Sequence, residues 1–420
     1  MSALLTDDSI VDLHPLHIGT EEDGAVEVGR ADTGMFVALP PEGVALLRLL
    51  ADHLPMAEVR RRFGDSYGEP PDLDDFVAGL HECGFIRAVD GVPWPEGDDE
   101  RGATEADPAA SPAGGTTMRG IALLGGLGPE RLRWLLSRPL LLVFAGVWLA
   151  VPALMLADPS LAPRPSDALL YHRVLPNALL VAVIAWTLVM LHEFAHALAA
   201  RARGCTGRFS VGRRLVFLVG QTELSDVRTI ARRQRYAPYL AGMTWDLIVV
   251  LGCLCCELAA VGGQLPRTVT YTVALTFIYQ FSVFMRTDIY YVIVNALRLG
   301  DLMGDTRRLL ANAVRGLRHS EPAYDLSGVP EREMRIIRWY CVYYLLGSST
   351  VIAGSLLLSV PALVRMLRIA ADGMASGPAA AGFWDGAGFV ALVAFQFGTL
   401  GYVGFRDHRR TRAGTAATAV

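Results

Sequence analysis

Residues 174–200 read VLPNALLVAVIAWTLVMLHEFAHALAA, 27 residues in which Glu193 is the only formal charge. As a helix such a stretch reaches about 40 Å, and the hydrocarbon core of a bilayer is about 30 Å thick. It therefore reads as a membrane span, and it contains His192-Glu193-Phe194-Ala195-His196. Further runs with little or no charge occur at about 139–156, 239–262, 269–297, 339–364 and 387–405, which makes six candidate spans.

Composition agrees with this reading. Of 420 residues 52% are hydrophobic and 19% charged, and the mean hydropathy is +0.35. Soluble domains carry nearer a quarter charged residues, so a soluble globular enzyme is excluded. The net charge of −4 excludes a nucleic-acid binder that works through bulk positive charge, and no nucleic-acid partner is expected. All 38 basic residues are arginine, which excludes Schiff-base and P-loop lysine chemistry. Cys83, Cys205, Cys253, Cys255, Cys256 and Cys341 support neither a disulfide framework nor a thiolate zinc ribbon. The Cys253-Cys255-Cys256 cluster reads as packing residues of a membrane helix, with soft-metal ligation as its alternative.

Arginine placement sets the expected orientation. The segment before the first span, the second-to-third and fourth-to-fifth connections and the tail hold 25 arginines; the alternate connections hold 5. Positive charge stays on the cytoplasmic side, so both termini are expected there, with the protein integral to a bacterial-type inner (cell) membrane.

In the second span, histidines at i and i+4 put both imidazoles on one helix face, one turn apart. That spacing suits a single Zn²⁺. Glu193 lies about 100° round the helix, within reach of a water at the metal as general base. Ionisable groups inside a span are expensive and default to function. A catalytic zinc needs a third protein ligand and an open position. Asp288 is the only acid of the fourth span, in Met285-Arg286-Thr287-Asp288-Ile289-Tyr290-Tyr291. The topology sends spans two and four in the same direction. His192 then lies about 14 Å above Arg201 and Asp288 about 15 Å above Arg298, so the two candidate ligands share one depth.

Paired with a later intramembrane Asp, His192-Glu193-Phe194-Ala195-His196 resembles the site-2-type intramembrane zinc metalloproteases over roughly residues 137–300. The resemblance implies that His192, His196 and Asp288 bind zinc and that Glu193 activates water for peptide hydrolysis. The family's Asp is usually followed by Gly, where this chain has Ile289. The family's Asn-bearing span motif, which helps position substrate, is replaced by Gly242-Met243-Thr244-Trp245-Asp246. Asp246 either takes over the work of that Asn or pairs within the bundle. Residues 207–222 alternate between glycines and read either as a hairpin near the cytoplasmic face, its edge free to pair with extended substrate, or as an amphipathic loop. The run Arg232-Arg233-Gln234-Arg235 reads as a positive-inside anchor.

Residues 8–90 read as a small soluble α+β domain. Val26-Glu27-Val28 and Phe36-Val37-Ala38-Leu39 flank a turn-rich stretch, as a β-hairpin does. Helices are expected after Pro41-Glu42, after Pro55, and over Leu73 to Gly84, before a strand at Phe85-Ile86. Through Ala38-Leu39-Pro40-Pro41-Glu42-Gly43, and from Asp75-Phe76-Val77 to Gly84-Phe85-Ile86, it resembles the PqqD-like winged-helix peptide chaperones. That implies a partner in a leader-bearing, ribosomally made precursor peptide; a domain that only regulates access is the alternative. Residues 91–117 are rich in Pro, Gly, Ala and acids and read as a flexible linker.

The expectation is an α-helical polytopic membrane protein of about six transmembrane helices over 118–412. A winged-helix-like cytoplasmic domain precedes them. The expected activity is zinc-dependent cleavage of a membrane-associated or precursor peptide. The competing expectation is a non-proteolytic peptide exporter or immunity factor with a structural metal site.

Overall fold

The structure is a computed structural model. It describes residues 6–22, 24–30, 35–68, 70–93, 121–124, 126–168, 170–171, 173–214, 217–319, 321–326 and 329–417. The expected linker lies outside the described residues from position 94 onward. The chain divides into two compact units. One comprises residues 1–114, 205–207 and 223–235; the other comprises 115–204, 208–222 and 236–420.

In the first unit β1 (Val11–Leu13), β5 (Ile86–Val89) and β6 (Val92–Pro93) form one small antiparallel sheet. β2 (His17–Glu22), β3 (Ala25–Arg30) and β4 (Met35–Leu39) form a second, with Val28 opposite Val37 in the expected hairpin. Three helices follow: α1 (Pro41–Ala51), α2 (Met56–Tyr67) and α3 (Leu73–Glu82). Pro41 opens α1, where its missing N–H costs nothing. Gly68 ends α2 at φ 84, a conformation that a Cβ would disfavour. Asp72 caps α3 by accepting from the Asp75 N–H at 3.1 Å. Leu47 and Leu50 of α1, Val59 of α2 and Leu73 of α3 close a core on Val28 and Phe85. Burying each such side chain contributes roughly 1.5–3 kcal/mol. Strands β1, β2 and β6 were not foreseen: β1 and β6 are only three and two residues long, and His17-Ile18-Gly19-Thr20-Glu21-Glu22 has no apolar alternation to betray it.

The second unit is mostly helical. Among the described residues five helices are long and apolar enough to cross a membrane. They are α4 (Arg138–Ala157), α5 (Val174–Ala202), α6 (Arg232–Leu258, whose first turn belongs to the first unit), the 45-residue stretch Glu331–Ala375, and Ala381–Tyr402 of the last helix. The 45-residue stretch joins α10 (Glu331–Gly354) to α11 (Val360–Ala375) through a π-turn at Ser355–Ser359; the last helix is α12 (Ala381–Ala417).

The fourth expected span is built differently from the others. Residues 269–297 are not one helix but two shorter ones, α7 (Leu265–Gln280) and α8 (Asp288–Leu297), with an amphipathic α9 (Leu302–Leu317) after them. The break between them holds a 3-10 turn at Val283–Met285 and Arg286 in the left-handed region at φ 54.

Val147 and Val151 of α4, Ile184 and Leu188 of α5, Leu247 and Leu254 of α6 and Val273 of α7 make the buried seam. Trp148 donates to the Thr244 hydroxyl across α4 and α6 at 3.0 Å, satisfying an indole that hydrocarbon would leave unpaired. Leu142, Leu149, Leu156 and Leu357 stay exposed, as lipid-facing side chains of a span would be. Residues 207–222 form a hairpin, β8 (Gly207–Arg214) and β9 (Phe217–Glu223), in a sheet ordered β7-β8-β9 with β7 (Ile121–Leu123).

Candidate metal centre

His192 and His196 lie one turn apart on α5, 8% and 3% exposed, their ring centroids 4.8 Å apart. Helix α6 supports each ring from behind. The Nδ1 of His196 stands 2.7 Å from the carbonyl oxygen of Pro238, and the Nδ1 of His192 stands 2.8 Å from Oδ2 of Asp246. A carbonyl can only accept, and so can an ionised carboxylate, so both Nδ1 atoms carry the proton. In the neutral rings each Nε2 is left as a bare acceptor, and the two Nε2 atoms face one another at 3.1 Å.

Asp288 completes the arrangement. Its Oδ2 lies 2.9 Å from Nε2 of His192 and 3.2 Å from Nε2 of His196. With both rings neutral, three lone-pair donors form a nearly equilateral triangle. Their repulsion is relieved by a cation placed among them. Ligands at 2.0–2.1 Å in tetrahedral geometry stand about 3.3 Å apart, close to the observed edges. Among the described residues these three make the group able to hold a metal ion.

The backbone leaves room for one. A Cβ built on Gly242 of α6 would overlap the Nε2 atoms of both histidines, so only glycine keeps that side of the triangle open. Asp246 is 3% exposed and pairs with His192, one of the three candidate ligands, as the carboxylate of a carboxylate–histidine–metal triad would.

Glu193 is half-buried on the neighbouring flank of α5. Its carboxylate is within electrostatic reach of His196, His192 and Asp288, and its main-chain oxygen accepts from Thr222 of β9 at 3.1 Å. Gly220 of β9 sits so close to Val189 and Met190 that a Cβ would press on both at 3.1–3.2 Å. The hairpin therefore runs directly beside the turn that bears Glu193.

The break before α8 places Asp288 in that helix's first turn. Gln280, the last residue of α7, accepts from the Asp288 N–H through Oε1 at 3.0 Å. Its amide nitrogen is 3.5 Å from Nε2 of His192.

The structure thus brings together His192, His196, Asp288 and Asp246, with Glu193 alongside. Pro238, Gly242, Thr222 and Gln280 had no assigned role in the sequence. Only Gln280 carried a signal, as a polar side chain in an apolar run. No disulfide joins the cysteines, and they lie outside the group. No family model matches this chain, and no curated protein or solved structure matches it either.

Proposed function

We propose that the protein is an intramembrane zinc metalloprotease of the site-2 type, hydrolysing a peptide bond near the cytoplasmic face of a bacterial-type inner membrane. The triangle of His192 Nε2, His196 Nε2 and Asp288 Oδ2 carries this reading: its edges fit a zinc ion. A zinc ion held there supplies Lewis-acid polarisation and activation of water. Asp246 and Pro238 keep the ligand rings in the Nδ1–H tautomer. Glu193 takes the proton of the attacking water and returns it to the departing amine, so that one water adds across the peptide bond. The arginine distribution supports cytoplasmic termini. The resemblance of residues 8–90 to peptide chaperones supports a leader-bearing precursor peptide as substrate.

Elemental analysis and a cleavage assay on the purified full chain test this together. About one zinc per chain is expected, lost in His196→Ala. Glu193→Gln should keep its zinc while cleavage falls by about 10²–10⁴-fold, the usual worth of a general base. A peptide bound or carried but never shortened by the zinc-loaded wild type would establish the exporter or immunity-factor alternative instead.

A further inference from the structure

The break between α7 and α8 removes the helical partners of several backbone groups in an apolar stretch, where unpaired carbonyls are costly. Their hydrogen bonds therefore need a full account. The Gln280 carbonyl accepts from the Thr287 hydroxyl at 2.5 Å. Within the break the Phe281 carbonyl accepts from the Val283 N–H at 2.8 Å and the Val283 carbonyl from the Arg286 N–H at 3.2 Å, and each takes a second donor from α10. Tyr343 donates its hydroxyl to the Phe281 carbonyl at 2.6 Å, and Tyr340 donates to the Val283 carbonyl at 3.1 Å.

These tyrosines are three residues apart and share a helix face. Gly347 continues that face, and a Cβ there would overlap the Phe284 ring, which also meets Tyr343 edge-on at 5.8 Å between centroids. One face of α10 is thus shaped around the break. Arg286, in its left-handed conformation, is tied on the other side to Asp301 at 3.3 Å. Ordinary packing would satisfy two tyrosine hydroxyls on any available acceptors. Here both go to carbonyls of the break itself, and the break ends at Asp288.

We infer that Tyr340 and Tyr343 are positioning residues of the metal centre. Their hydroxyls hold segment 281–287 in the path that brings Asp288 to the histidines, so a helix that contributes no ligand sets the metal affinity. This rests on the metal-centre reading above.

The test is zinc affinity of the full-length, detergent-solubilised protein, by competition with a chelating indicator, beside the thermal midpoint of the metal-free form. The Tyr340→Phe/Tyr343→Phe double variant should bind zinc about tenfold or more weakly, the usual effect of losing outer-shell support. Tyr344→Phe, the neighbouring ring on the same helix, should bind as wild type. A double variant with a lowered midpoint but wild-type zinc affinity would show purely structural tyrosines and overturn the inference. Should the double variant not fold, Tyr343→Phe carries the test: about threefold weaker binding supports the brace, and unchanged binding refutes it. If instead wild type binds no stoichiometric zinc, or His192→Ala binds as tightly as wild type, it is the metal-centre reading that fails.

Discussion

At the metal triangle each histidine is used at both ring nitrogens, one held by α6 and the other turned to the shared centre. Asp246 is the more telling of the two supports. A carboxylate on Nδ1 raises the basicity of the opposite nitrogen, which an amide at that position would do far less. Gly242 acts by what it lacks. Gly242→Ala is expected to place a methyl against both Nε2 atoms, displace the ion and abolish stoichiometric zinc. Helix propensity would by itself favour the alanine by up to about 1 kcal/mol. The expected outcome is therefore a zinc-free protein whose thermal midpoint matches that of metal-free wild type; full zinc occupancy in this variant would place the ion elsewhere.

At the level of elements, α5 owes its start to a distant residue. Its N-terminal flank, Arg173, provides no side-chain cap. Asp385 of α12 does so, accepting from the N–H groups of Val174 at 3.2 Å and Leu175 at 2.9 Å. An acid in the last apolar helix thus has a structural task, and its charge complements the helix dipole. Asp385→Ala should cost about 1–2 kcal/mol, read as a lower thermal midpoint in detergent. Zinc content should stay at one per chain, since the capped turn lies more than four turns from His192. Loss of zinc in a folded Asp385→Ala protein would tie this cap to the metal centre.

At the scale of the whole molecule, the chain between β9 and the body of α6 belongs to the N-terminal unit, where its arginines also make ion pairs. Glu27 of β3 meets Arg228 at 2.7 Å and Arg235 at 2.6 Å, Glu22 lies 3.6 Å from Arg232, and Arg228 stacks over Phe36. Removing residues 1–90 would therefore also strip these arginines of their partners, so point substitutions are the cleaner probe of this domain. Burial pushes the Glu27 carboxyl up, but Arg228 and Arg235 outweigh it and hold the group below its ordinary range. A carboxyl lowered in the folded state contributes stability above its unfolded value, near 4.3. That contribution is lost as pH falls through the lowered folded value. Glu27→Gln is accordingly expected to cost about 2 kcal/mol at pH 7, with the gap to wild type closing in strong acid. Thermal unfolding of the full chain at neutral and acid pH measures it; an equal gap at both would remove the carboxylate from the account.

The amino-acid sequence alone determined the apolar helices, the α+β character of residues 8–90 and the pair His192 and His196 with Glu193 between them. Each rests on local periodicity: 3.6 residues per turn, alternation along a strand, or the length of an uncharged run. Asp288 was also legible, because a lone acid in an apolar stretch has few other reasons to be there. Tertiary structure alone decided the rest. The break at 281–287 was hidden because a hydropathy window averages a few polar residues into the apolar ones around them. The His192–Asp246 pair spans 54 positions and Glu27–Arg228 spans 201, and no short-range pattern encodes a contact between groups that only packing brings together. The tautomers and the space beside Gly242 follow from those contacts. Spacing along α5 named two of the candidate ligands; the packing of α6, α7 and α8 around it brought them together with Asp288.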